Sequence, residues 1–119
     1  MKPGTIGWHD LTVDDASGIR DFYAAVAGWT SQGIDMGGYE DFSMVADGDG
    51  VAGVCHRRGT NADLPSQWIM YVVVEDLDRS LDACAEGGGE IVAGPKSMGE
   101  ARYAIIRDPA GAVCGLFQP

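Results

Sequence analysis

The sequence is poor in basic residues: lysine and arginine together number 8 against 18 aspartates and glutamates, for a formal net charge of −10. Binding to nucleic acid needs clustered Lys and Arg side chains, and anionic membrane surfaces attract the same groups. The sequence also lacks an apolar run of membrane-spanning length and a charged-then-apolar leader. We therefore expect a cytoplasmic protein whose partners include neither nucleic acid nor membranes.

Cysteine is also scarce, and its spacing argues against two kinds of scaffold. The three cysteines are widely separated and none belongs to a CxxC pair: Cys55, Cys84 and Cys114. Disulfide-rich domains and structural zinc sites normally show paired, closely spaced cysteines. A chain of 119 residues can bury a core without such crosslinks. We expect one domain over residues 1–119, in which the thiols act as small buried hydrophobic side chains.

Glycine, by contrast, is abundant, and it marks a repeat. The 18 glycines lie mostly between apolar runs, which predicts tight turns between short strands. A shift of the sequence by 61 residues aligns acidic and glycine positions of the two halves: Leu11–Asp15 with Val72–Asp76, Asp21 with Asp82, Gly28 with Gly89, and Asp47–Gly50 with Asp108–Gly111. This constant shift predicts two modules with the same element order, at about residues 1–60 and 65–119.

The first half has the pattern of one strand, one helix and three further strands. Residues 6–13 alternate, with Leu11 and Val13 on one face, as a half-buried strand does. Asp14 or Asp15 can cap a helix over residues 16–27, and Gly28 can end it. Short strands are predicted near residues 29–32, 40–46 and 51–57, with a turn at residues 47–50.

The second half repeats this order. Strands are predicted over residues 68–74, 90–93, 102–107 and 112–117, and a helix over residues 77–86. Each half is then a βαβββ module whose sheet has one face to cover, so the two modules should pack together.

Three groups of residues give this sequence a family resemblance. They are the opening Asp15, Phe22-Tyr23 and Gly28-Trp29, the strand end Tyr71–Asp76, and the terminal stretch Arg107–Ala112. With the two modules, they resemble the vicinal oxygen chelate superfamily, which includes glyoxalase I, bleomycin resistance proteins and extradiol dioxygenases. The closest likeness is to small glyoxalase-like proteins. The resemblance implies an α+β fold, in which curved mixed β-sheets surround a shared cavity with the helices outside, and it implies a homodimer.

Metal-dependent members of this superfamily carry ligands on the first and last strands of each module. Aligned on the module openings, those positions fall on Trp8, Val54, Ile69 and Gly115. None of these side chains can bind a divalent ion. We therefore expect neither a metal site nor another cofactor.

Strand alternation also predicts which side chains face the implied cavity. The first strand would contribute Trp8, Asp10 and Thr12, and the first strand of the second module would contribute Ile69, Tyr71 and Val73. The remaining predicted lining residues come from the later strands of each module: Phe42, Val54, His56, Tyr103, Val113 and Gly115. Apolar and aromatic linings of this kind are typical of small-molecule pockets.

Three functions remain open on these residues. The first is binding or sequestration of a small organic molecule, similar to bleomycin resistance proteins. The second is an acid–base lyase or isomerase that uses Asp10, His56 and Tyr71. The third is a non-catalytic interaction module whose cavity is filled by its own side chains. A loop at Met98 and Gly99 is a candidate lid.

Overall fold

The computed structural model describes the backbone of residues 1–119 and every side chain except that of Thr60. Eight strands and two α-helices follow one another along the chain. They are β1 (Ile6–Val13), α1 (Ala16–Ala27), β2 (Thr30–Asp35), β3 (Glu40–Ala46), β4 (Asp49–His56), β5 (Trp68–Val73), α2 (Leu77–Glu86), β6 (Glu90–Met98), β7 (Ala101–Arg107) and β8 (Val113–Gln118). The predicted βαβββ order therefore occurs twice, and the α+β fold class is confirmed.

The chain divides into two compact units. The first unit is residues His9–Trp68, and the second comprises Met1–Trp8 with Ile69–Pro119. In the first unit the strand order is β2-β3-β4-β1, with β1 parallel to β4 and the other pairs antiparallel. In the second unit the order is β5-β8-β7-β6, with β5 parallel to β8. The prediction of a single domain remains a prediction.

Helix α1 begins at an aspartate cap and covers one face of the first sheet. The Asp15 carboxylate accepts a hydrogen bond from the Gly18 N–H at 3.0 Å, and Gly28 ends the helix at φ 74°. The buried cluster beneath the helix consists of Ala16, Phe42, Met44, Ala52 and Val54. Burial of these side chains fixes which face of β3 and β4 lies against α1.

At the edge of this cluster, three aromatic rings of the first unit pack against one another. The ring centroids of Tyr23, Trp29 and Trp68 lie 5.4 to 5.9 Å apart. The Trp68 indole N–H donates to the Tyr23 hydroxyl at 3.1 Å. These rings fill the space among themselves and belong to the core rather than to a pocket.

Helix α2 repeats this arrangement in the second unit. The Asp76 carboxylate accepts from the Arg79 N–H at 3.1 Å, and the helix packs on a buried cluster of Leu77, Leu81, Ala104 and Leu116. Its 10 residues, like the 12 of α1, make a helix too short to cross a bilayer, and within the described residues no helix meets that requirement.

The shift between the two units is not constant, which corrects the 61-residue alignment. Leu11 lies opposite Val54, whereas its counterpart Val72 lies opposite Leu116, 62 residues beyond Val54. The extra residue falls between the helix and the third strand of the module. There β6 has nine residues and two irregularities in its pairing with β7, whereas β2 has six residues and pairs regularly with β3.

Candidate functional site

The sheet face of the first unit that is turned away from α1 carries polar and acidic side chains. Strand alternation and register place six residues there, and we call this the acidic face: Asp10, Thr12, Asp41, Ser43, Gly53 and Cys55. Thr12 is 2% exposed and Asp41 only 4%. A carboxylate buried to this extent must be paired or hydrogen-bonded, because its desolvation is otherwise costly.

Asp41 meets that requirement through His56, the last residue of β4. The Asp41 Oδ1 accepts a hydrogen bond from the His56 backbone N–H at 2.8 Å and lies 3.4 Å from the ring Nδ1. The regular pairing of β3 with β4 ends at Phe42 and Val54. Beyond it, the Asp41 carboxylate accepts the His56 backbone N–H in place of a backbone carbonyl of β3. An imidazole held in this way by a carboxylate is suited to moving a proton.

Aromatic rings and guanidinium groups surround this pair. The His56 ring lies edge-on to Tyr39 at 5.6 Å and is 6.4 Å from Phe42. Arg58 stacks over the Tyr39 ring at 4.0 Å, and Arg20 over Phe42 at 4.5 Å. Cation–π contacts of this kind hold both rings in place.

The thiol of Cys55 lies between carboxylates on the acidic face. Burial raises the pKa of Cys55 well above its usual value, and the charges of Asp10 and Asp41 raise this pKa further. The thiol therefore stays protonated at neutral pH and makes a poor nucleophile.

The corresponding face of the second unit is apolar and aromatic. We call it the aromatic face: the side of the second sheet turned away from α2, with Ile69, Tyr71, Val73, Tyr103, Ile105, Val113, Gly115 and Phe117. The Tyr71 ring lies directly over Gly115, since a Cβ added there would be 2.3 Å from the ring. Tyr103 meets Tyr71 edge-on at 6.4 Å. Glycine at position 115 therefore lets the Tyr71 ring come this close to β8.

Most of the predicted lining residues have the predicted orientation. Leu11 lies opposite Val54 on the α1 side of its sheet, so the alternate β1 residues Trp8, Asp10 and Thr12 point to the other side. In the second unit, Ile69, Tyr71, Val73, Tyr103, Val113 and Gly115 point away from α2. Their roles in ligand binding stay predictions.

Three predicted lining positions in the first unit are wrong. Phe42 and Val54 pack beneath α1, and register places His56 beside Val13 at the end of that same side. The extra residue between the helix and the third strand reverses the facing of β3 and β4 relative to the 61-residue alignment. The ring of His56 is nevertheless only half-buried, and it reaches Asp41 around the strand end.

Two further expectations change with the structure. The corrected register replaces Val54 by Gly53 as the first-unit equivalent of Gly115, and glycine offers no side-chain ligand either. Met98 is the last residue of β6 and pairs with Ala101 across a two-residue turn, so it lies in a hairpin rather than in a lid loop.

The three proposed acid–base residues are divided between the units. Asp10 and His56 belong to the first unit, together with Asp41, whereas Tyr71 belongs to the second. Asp41 was missed from the sequence, because the alignment paired Tyr103 with Phe42. The signal available was the order Glu40-Asp41-Phe42, in which an acidic residue shares the parity of Ser43 on a strand with one buried face.

Metal ligands are not grouped on these faces. Among the residues whose side chains the structure describes, no three His, Cys, Asp or Glu side chains are placed to hold a metal ion. In the first unit the Asp41 carboxylate lies instead against the His56 ring, and on the aromatic face the rings of Tyr71 and Tyr103 meet edge-on.

Comparison with known proteins agrees with this geometry. Residues 5–114 match the Glyoxalase/Bleomycin resistance protein/Dioxygenase superfamily. The chain belongs to this superfamily. A solved member from Vibrio splendidus superposes with a TM-score of 0.63 at 16% identity, covering 97% of this chain and 100% of the other, which shows the shared fold.

Two curated relatives of this superfamily member match nearly the whole chain. The Mycobacterium tuberculosis protein named "Putative glyoxylase CFP32" is 28% identical over 99% of this chain and 45% of its own length. The Streptomyces peucetius "Anthracycline biosynthesis protein DnrV" is 31% identical over 99% of this chain and 48% of its own length. The chain thus spans about half the length of these relatives.

Proposed function

We propose that this superfamily member binds a planar aromatic small molecule on its aromatic face, without a metal ion. The observation that carries the proposal is the Tyr71 ring laid over Gly115 and braced edge-on by Tyr103. Because the two rings already contact each other edge-on, stacking of a ligand on them should cost little conformational entropy. Tyr103 is half-buried, so part of this surface is open to solvent.

The chemical class of the ligand follows from two further observations. The net charge of −10 favours a ligand that carries a positive charge. The likeness to an anthracycline biosynthesis protein supports a polycyclic ring system, and anthracyclines with an amino sugar combine planarity with a cationic amine. Sequestration of such a compound, as in bleomycin resistance proteins, is the role we infer.

Independence from metal rests on residue types. The positions that hold ligands in metal-dependent members carry Trp8, Gly53, Ile69 and Gly115 in the corrected register. An indole, a branched alkyl group and two glycines supply no donor for a divalent ion.

Fluorescence titration of the full chain with an amino-sugar anthracycline tests this function. We expect saturable quenching that is the same with and without EDTA, because no metal takes part. Tyr71→Ala should weaken binding roughly tenfold or more, since an aromatic contact is worth about 1 kcal/mol beyond its buried area. The matched control is Phe22→Leu on the exposed side of α1, which should leave the affinity unchanged.

Three results would contradict the proposal. Binding that survives loss of the rings at Tyr71 and Tyr103 would place the ligand elsewhere. Binding that EDTA abolishes and zinc or nickel restores would show that the site needs a metal. If the protein binds none of a panel of planar amines, the third function, a non-catalytic interaction module, is favoured.

A second candidate is a lyase or isomerase that uses Asp10, His56 and Tyr71 as acid–base groups. The contact between the Asp41 carboxylate and the His56 ring favours it, since a paired imidazole can accept and return a proton. The test is to incubate the protein with the bound anthracycline in D2O and follow its mass. Deuterium incorporation or conversion that His56→Gln abolishes, with binding retained, would establish the enzyme; an unchanged ligand supports sequestration.

The assembly is also part of the proposal. We infer that the protein works as a homodimer in the cytoplasm, as the family resemblance and the acidic composition imply. Native mass spectrometry of the purified chain measures the oligomeric state, any bound metal and any small-molecule adduct together. A monomer at micromolar concentration would contradict the homodimer.

A further inference from the structure

We propose that Cys84 and Cys114 form a reversible disulfide when the protein meets a peroxide, which would tie the last turn of α2 to the start of β8. Both thiols belong to the second unit and both are free and half-buried. All three cysteines of the chain are half-buried, which corrects the expectation of buried thiols. The disulfide site is separate from both sheet faces described above.

The two ends of α2 fix its direction over the sheet. At the helix start, the Leu77 N–H donates to the Gln118 side-chain oxygen at 2.8 Å, so α2 begins beside the end of β8. At the helix end, a Cβ added to Gly89 would lie 2.7 Å from the Cys84 sulfur and 2.9 Å from the Arg107 carbonyl oxygen. Since Arg107 pairs with Val113 at the start of β8, α2 runs antiparallel to β8.

Helix and strand lengths then bring the two cysteines together. Seven residues of helix from Leu77 to Cys84 rise about 10 Å, and four residues of strand from Gln118 back to Cys114 span about 13 Å. Leu81, one turn before Cys84, packs on the sheet with Leu116, which shares the facing of Cys114. Cys84 on the sheet-facing side of α2 and Cys114 on the α2-facing side of β8 therefore lie opposite each other, between the helix and the sheet.

Electrostatics and access support this placement. The pKa of Cys114 is raised by burial, by the charge of Asp108 and also by Cys84, so the two thiols are close enough to influence each other. A surface groove opens beside Cys84, and its lining includes Ala83, Gly89, Ile106 and Pro109. A molecule as small as a peroxide can reach the Cys84 sulfur through this groove.

The chemistry balances in two steps. The Cys84 thiol releases its proton and the thiolate attacks one peroxide oxygen; the O–O bond breaks, the leaving hydroxide takes up that proton, and a sulfenic acid and one water form. The Cys114 sulfur then attacks the Cys84 sulfur, the S–O bond breaks, and the disulfide forms with a second water. Two thiols are oxidised by two electrons in total, and the peroxide is reduced by the same two electrons.

Peptide mapping after peroxide treatment of the intact chain tests the proposal. Remaining thiols are alkylated before unfolding, and trypsin then releases residues 80–96 with Cys84 and residues 108–119 with Cys114. We expect these two peptides to be joined, two hydrogen atoms lighter than their sum, and separated again by dithiothreitol. The oxidised chain should also melt at a higher temperature, because the crosslink restricts the unfolded state.

Matched variants make the test specific. Cys55→Ser should leave the joined peptides unchanged, because this thiol belongs to the other unit. Cys84→Ser and Cys114→Ser should each abolish the joined species. Recovery of both peptides as separate alkylated species after treatment, or linkage of either peptide to Cys55 or between two chains only, would overturn the proposal.

Discussion

The two units share one topology but carry opposite chemistry on equivalent sheet faces. With the corrected register, apolar and aromatic positions of the second unit coincide with polar positions of the first: Tyr71 with Asp10, Val73 with Thr12, Tyr103 with Asp41, Ile105 with Ser43, and Phe117 with Cys55. The faces beneath the two helices, in contrast, are both apolar. The helix-facing side is thus constrained by burial, while the opposite side is where the two units differ.

This difference teaches which part of the module defines the fold. The buried polar residues Thr12 and Asp41 both lie on the acidic face, away from the hydrophobic clusters beneath the helices, where water is excluded. On the other face, the buried Asp41 carboxylate accepts a hydrogen bond from the His56 backbone N–H and has a further hydrogen bond with the Cys55 side chain. A polar pair of this kind is specific to one unit, so it points to function or to specificity rather than to architecture.

The largest effect should come from truncating the aromatic face at a buried position. Ile105 is 1% exposed, so Ile105→Ala should lower the free energy of unfolding by about 2–5 kcal/mol. Its equivalent in the first unit is Ser43, and Ser43→Ala should change stability by about 1 kcal/mol or less. Urea unfolding of both variants measures the contrast, and equal losses would show that the two faces are packed alike.

The next effect tests the contact between Tyr71 and Gly115. Gly115→Ala should lower the free energy of unfolding by about 1–3 kcal/mol, because the new Cβ would displace the Tyr71 ring. Combining it with Tyr71→Leu should recover part of this loss, since the smaller side chain leaves room. Thermal unfolding of the two single variants and the double variant forms a mutant cycle, and strict additivity would mean that the clash is absent.

Substitution of Asp41 on the acidic face should lower the free energy of unfolding by as much as Gly115→Ala does, or by less. Asp41→Ala leaves the His56 backbone N–H without its acceptor, which should cost about 1–3 kcal/mol. Asp41→Asn keeps an oxygen at the same place and should cost less. Chemical denaturation ranks the two variants, with Asp82→Ala on an exposed side chain of α2 as the neutral reference; an alanine variant as stable as that reference would remove Asp41 from the site.

The smallest effect is a pH dependence that comes from Cys55. The Cys55 pKa is raised in the folded state above the usual 9.0, so its contribution to the free energy of unfolding is fully present below pH 9. As pH rises above 9, the unfolded thiol ionises while the folded one does not, and that stability is lost. Cys55→Ala should flatten the decline of the melting temperature between pH 9 and 10.5, and an unchanged profile would assign the decline to other groups.

Much of the fold could be predicted from the sequence, because its signals are local. Strand β1 and helices α1 and α2 have the predicted bounds, and Asp15 and Asp76 cap the helices as their spacing indicates. Alternation also predicted which side chains of β1, β5 and β8 point away from the helices. Each of these strands either packs one face against the cluster beneath a helix or pairs with a strand that packs there.

The acidic face could not be predicted, because its register depends on an irregularity that composition does not reveal. A single extra residue before the third strand turns every later side chain of that module to the other side. For this reason Phe42 and Val54 lie beneath α1 and not on the predicted cavity side, and Asp41 lies where the alignment predicted the aromatic ring of Phe42. The pairing of Asp41 with His56 joins two strands and has no local sequence signal.

The packed rings of Tyr23, Trp29 and Trp68 have a spectroscopic consequence. Two of the three tryptophans in the chain lie in this cluster, with ring centroids 5.9 Å apart and planes nearly perpendicular. Indoles held so close and so rigidly couple their electronic transitions, which gives a strong near-ultraviolet circular dichroism signal. That signal reports the packing of the first unit, and its decay on heating can be compared with the melting of the whole chain.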